Sequence, residues 1–78
     1  MNQHLLLLDE HGYNIAVVPT RNLAFEIKRA LLEHYTAEEV IVPYTAEPTM
    51  GCVECRVIST ADDVDFVETI NFEPIAVY

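Results

Sequence analysis

Cys52-Val53-Glu54-Cys55 has the C-x-x-C spacing used by zinc ligands and thiol redox sites, where a turn or a helix start brings both sulfurs together. Here the motif lies inside residues 51–59, where Val53, Cys55 and Val57 alternate with Glu54 and Arg56 at the period of a strand. Residues three apart on a strand point to opposite faces, so the thiols diverge and a structural role is expected for both. His4, His11 and His34 are scattered, and no second C-x-x-C or His pair completes a metal set. Asp62, Asp63 and Asp65 invite a calcium or magnesium role, yet the alternating acids, glycine and terminal glutamate of a calcium loop are missing. Ser59 is the only serine, and there is no nucleophile elbow, phosphate-binding loop or dinucleotide fingerprint. No catalysis, cofactor or metal is therefore expected.

What the chain has in abundance is negative charge, −9 in total, and it is unevenly placed. Up to Tyr35 four acids face three bases, Arg21, Lys28 and Arg29. From Thr36 onward nine acids face Arg56 alone. The basic groups gather on one segment while the C-terminal half carries an almost uncompensated negative field. Direct binding to nucleic acid is disfavoured, because phosphate neutralisation needs clustered Lys and Arg.

The segment holding the bases is Thr20 to Tyr35, the only long run with a helical period. At about 100° per residue, Leu23, Ala24, Ile27, Ala30, Leu31, His34 and Tyr35 form one broad apolar face, on which His34 reads as a core histidine. Thr20 is the expected N-cap after Pro19, the helix starting near Arg21 and ending near Tyr35. Phe25 and Leu32 lie about half a turn away, more apolar surface than one sheet face covers. Either another part of the chain packs on them or they belong to a partner surface. Burying either is worth about 1.5 to 3 kcal/mol.

Strands are expected at His4 to Asp9 and Tyr13 to Val18, joined by the turn Asp9-Glu10-His11-Gly12, then at Glu38 to Tyr44, Gly51 to Ser59 and Phe72 to Tyr78. Thr60 to Ile70 reads two ways. As a helix, Val64, Phe66, Val67 and Ile70 form an arc opposite Asp62, Asp65, Glu68 and Thr69, with Thr60 as N-cap and acids in the first turn. As a strand, Val64, Phe66, Ile70 and Phe72 share a face on which Glu68 intrudes. The helix is the cleaner pattern. The order β-β-α-β-β-α-β is a split βαβ, ferredoxin-like arrangement with an extra N-terminal strand, a two-layer α+β sandwich whose helices cover one face of a mainly antiparallel sheet. The alternative, ββαβββ, keeps one helix on an antiparallel sheet.

At 78 residues, 51% hydrophobic, the chain is a single α+β domain, residues 1–78, near the size at which one core just suffices. MNQHLLLL has neither the basic start of a secretory signal nor the length of a membrane span, and two cysteines are too few for a disulfide scaffold, so cytoplasmic residence is expected. The expected function is that of a small acidic regulator or inhibitor, which engages a basic surface on a partner protein through Glu47, Glu54, Asp62, Asp63, Asp65 and Glu68, with Phe25 and Leu32 as apolar contacts. If that partner binds nucleic acid, carboxylates can stand in for phosphates, as in the mimics that mobile elements use against host defences. The alternative is a homodimeric ligand-sensing or assembly module without catalysis, held by an apolar sheet face or edge.

Overall fold

The computed structural model describes residues 2–43, 47–61 and 63–77. The predicted strand ends Tyr44 and Tyr78 and the predicted site residue Asp62 lie outside them. The elements run β1 (Asn2–Leu8), β2 (Asn14–Pro19), α1 (Leu23–His34), β3 (Glu39–Ile41), a single 3-10 turn (Pro48–Met50), β4 (Cys52–Ser59) and β5 (Val64–Val77). All pairings are antiparallel, in the order β2-β1-β5-β4-β3, and the sheet curls around α1. The class is α+β.

The expected second helix is not formed: residues 64–70 are strand, continuous with the predicted closing strand. Thr60 opens a turn instead, its carbonyl accepting from Asp63 N–H at 3.4 Å. Val67, Thr69 and Ile70 are β-branched, which lowers helix propensity and suits a pleated surface, and β4 supplies a ladder along the whole segment, Ser59 opposite Val64 through Cys52 opposite Asn71. The split βαβ order thereby gives way to one helix on five strands.

β5 organises the rest. β1 pairs with its residues 71–77 on one edge, and β4 pairs with its residues 64–71 on the other, so the two wings overlap only at Asn71. Fourteen residues at about 3.3 Å each span about 46 Å, in keeping with a long axis of 42 Å. Among the described residues no helix is long and apolar enough to cross a membrane.

The core lies between α1 and the concave face. Leu23, Ile27, Ala30 and Leu31 are the buried helix residues, four of those on the predicted face. Opposite them the sheet buries Leu5 beside Val18, Leu7 beside Phe72, Val53 beside Ile70 and Val57 beside Val40. His34 does not join this core; it is exposed at the last helical turn.

The helix ends where expected, with Tyr35 as its C-cap, but its start departs from the expected signal. Asn22, not Thr20, is the N-cap, in the left-handed region at φ 56°, and its carbonyl accepts the first helical bond from Glu26 N–H at 3.1 Å. Asparagine visits that region more readily than other non-glycine residues. At the far end Thr36 adopts φ 51° and Ala37 N–H donates to the Leu32 carbonyl at 3.1 Å, the closure that glycine usually makes. A β-branched residue there costs roughly 1 to 2 kcal/mol. The turn between β1 and β2 follows expectation: Gly12 has φ 82°, and the Asp9 side chain accepts from the backbone N–H groups of His11 and Tyr13 at 3.0 and 2.9 Å.

Candidate functional site

The alternation of β4 and β5 divides their side chains between the concave core face and a convex face with no helix over it. On the convex face, Ile41, Arg56 and Val67 form a row across three strands, because Ile41 pairs with Arg56 and Arg56 with Val67. Ile41 is 46% and Val67 60% exposed, large values for branched apolar residues, one on either side of Arg56. One step along, Glu39, Ile58 and Asp65 make a parallel row, and Glu54 precedes Arg56 on the same face.

Arg56 is the single cation in this field, and Asp65 already engages it. The guanidinium donates through Nε to Asp65 Oδ1 at 2.8 Å and through Nη2 to Oδ2 at 2.5 Å, a bidentate fork. That hydrogen bonding, reinforced by charge, holds the Asp65 carboxyl below the usual carboxylate range and raises Arg56, to which the charge of Glu39 adds. Glu39 and Glu54 are exposed and form no ion pair among the described residues. A groove of about 370 Å³ runs beside Ile41, Pro43, Glu54 and Val67.

The concave face treats its acid differently. Glu68 is 4% exposed, directly across from Cys55 and flanked on its strand by Phe66 and Ile70. Its Oε1 accepts from the backbone N–H of Glu10 at 3.0 Å, which ties the β1–β2 turn onto β5. The hydroxyl of Tyr35, just past α1, approaches Glu68, and burial, this approach and the charges of Glu68, Asp9 and Glu10 together push its pKa upward. The Tyr35 ring rests edge-on against Phe66, centroids 5.2 Å apart. Burial and the neighbouring Glu68 charge push the Cys55 thiol up to about 12. Cys52 is exposed on the convex face and Cys55 buried on the other, so the two thiols sit back to back across the strand.

No family model, curated protein or solved structure matches this chain.

The predicted site residues are thereby sorted. Glu54 and Asp65 share the convex face. Asp63 is exposed in the β4–β5 turn at φ 52°, and Glu47 is exposed ahead of the 3-10 turn that leads into β4. Glu68 has to be withdrawn from a surface set: once residues 64–70 are a strand, its parity places it with Phe66, Ile70 and Phe72 on the core side. Leu32 is half-buried and packs against the core, whereas Phe25 stays 64% exposed because no second helix among the described residues covers it. Phe25 instead borders a second groove, of about 440 Å³, between α1 and β3, with Ala24, Lys28 and residues 39–42 as the other walls. Glu39, Ile41, Arg56 and Val67 escaped the sequence reading as a group. Period-two counting through Val67 was the signal that could have found them, since it sets Val67 opposite in face to Phe66 and Glu68.

Proposed function

We propose that the protein is a small acidic regulator or inhibitor that binds a basic surface on a partner protein and acts by occupying it rather than by catalysis. The observation that carries this reading is the convex face of β3, β4 and β5, where Glu39, Glu54 and Asp65 surround exposed Ile41 and Val67 and the only cation, Arg56, is held by Asp65. Carboxylates beside exposed apolar side chains suit a protein interface, in which charged groups guide encounter and desolvated apolar anchors hold the complex. A net charge of −9 extends the attraction to any positive target and repels acidic competitors. Where the target's basic surface itself binds nucleic acid, the same carboxylates occupy phosphate positions, making the protein a nucleic-acid mimic.

The test is a salt titration of binding to a partner isolated from the native host. Affinity should fall steeply between about 0.05 and 0.5 M salt, where the screening length drops from above 10 Å to below 5 Å. Glu54→Lys should weaken it further without loss of folding. Affinity unchanged across that range would overturn the reading. The second reading, a homodimeric assembly module, is favoured by the outer edge of β3 and the convex face, neither of which another element covers among the described residues, and it requires sedimentation as a dimer at micromolar concentration.

A further inference from the structure

We propose that the free edge of β3 is the docking strand for this partner, and that its occupant is an extended segment alternating apolar and basic residues, which joins the sheet as a sixth strand. The inference rests on the functional reading above and specifies how the contact is made. Among the described residues β3 ends the strand order, bonded to β4 on one side only, so its outer backbone groups are available for another strand. Short length and Pro43 confine that edge to the neighbourhood of residues 39–42.

Two grooves flank this one edge. The first lies between β3 and α1, with Ala24, Phe25 and Val42 on its walls and the opposite charges of Lys28 and Glu39 among them; the second lies on the convex face beside Glu54, Arg56 and Val67; Ile41 borders both. A strand laid against the edge sends successive side chains to opposite faces of the sheet, hence alternately into the two grooves. The first groove calls for apolar side chains, since an exposed phenyl ring otherwise faces water there. The second calls for basic ones, because Glu54 has no ion pair among the described residues while Arg56 is already engaged by Asp65.

Charge also decides against a second copy as the occupant. Edge-to-edge pairing of two identical chains would bring together molecules each carrying −9, with Glu38 and Glu39 at the seam. A basic segment meets the same seam with attraction.

The probe is a short synthetic peptide, Lys-Val-Lys-Val-Lys-Val-Lys, compared with its counterpart bearing Glu in place of every Lys. Each is titrated into the intact protein, with amide shifts, amide hydrogen exchange and fluorescence polarisation as readouts. The Lys peptide is expected to slow exchange at residues 39–42, to shift residues 24–28 and Glu54, and to bind about tenfold or more tightly than the Glu peptide. Phe25→Ala and Glu54→Lys, both at exposed side chains that the fold does not need, should each weaken it by about tenfold. The proposal is overturned if the Lys peptide fails to bind at about millimolar concentration. It is equally overturned if both peptides bind alike, or if protection falls on β2 instead. Salt-dependent binding of the full partner that persists beside such a result would sink only the edge-strand mode, whereas loss of that salt dependence would sink the functional reading itself.

Discussion

Asp65 and Glu68 stand three residues apart on the same strand, and their surroundings have almost nothing in common. Asp65 is on the convex face, in water, forked to Arg56; Glu68 is on the concave face beneath the β1–β2 turn, with a backbone N–H as its donor and the Tyr35 hydroxyl nearby. The strand's period of two sends one outward and the other inward. A count of acids along the chain therefore overstates the charge available to a partner, because an acid pointing inward acts as an anchor for the fold. Buried charge needs such partners, since an unpaired carboxylate away from water is very costly.

The contrast between faces can be broken most forcefully on the core side. Ile70→Ala, at a side chain with no exposure, should destabilise the protein by about 2 to 5 kcal/mol, most of what a domain this small is expected to possess. Val67→Ala, three residues earlier on the convex face, should change stability by no more than about 0.5 kcal/mol. Urea denaturation of the two variants side by side measures the difference, and equal costs would contradict the assignment of faces.

A smaller effect sharpens the polar part of the comparison. Tyr35→Phe removes the hydroxyl beside buried Glu68 without altering the ring that meets Phe66, and it should cost about 0.5 to 1.5 kcal/mol. No loss of stability in that variant would mean that the phenol does not support the carboxylate.

The smallest effect belongs to the exposed pair. Asp65 has its folded pKa held below its ordinary unfolded value of about 3.9, so the pair's contribution is fully present above that value and is lost as pH falls through the lower, folded one. Comparing wild type with Arg56→Gln across an acid titration should show a constant stability gap near neutrality that closes only in strong acid. A gap already closing near pH 6 would point to some other group. Exposed ion pairs are weak, so the gap is expected to be slight.

Much of this architecture was legible before any coordinates. Leu23, Ile27, Ala30 and Leu31 announced the buried side of α1 because their spacing matches one face of a helix. Val53, Cys55 and Val57 announced the buried side of β4, and with it the divergence of the two cysteines. The turn at Asp9 to Gly12 was equally plain, since its residue types are those that a tight reversal requires. The end of the helix near Tyr35 was legible as well, whereas its start was not, because the cap is Asn22 in left-handed backbone and Thr20 pointed two residues too early.

Residues 60–70 lay beyond what local pattern could decide. Capping residues and first-turn acids argued for a helix, and β-branched side chains argued for a strand, at comparable strength. Pairing with β4 along eight residues settles it, and those partners lie up to 19 positions away in the chain. From that one long-range choice follow the burial of Glu68, the exposure of Val67 and Phe25, and the placing of Asp65 on the face where the β3–β4 pairing puts Glu39, Ile41 and Glu54. The amino-acid order by itself determined how much charge the protein carries and which short segments are amphipathic, because both are properties of neighbouring residues. Which carboxylates face water was decided only in three dimensions, because a side chain's face depends on the strand beside it.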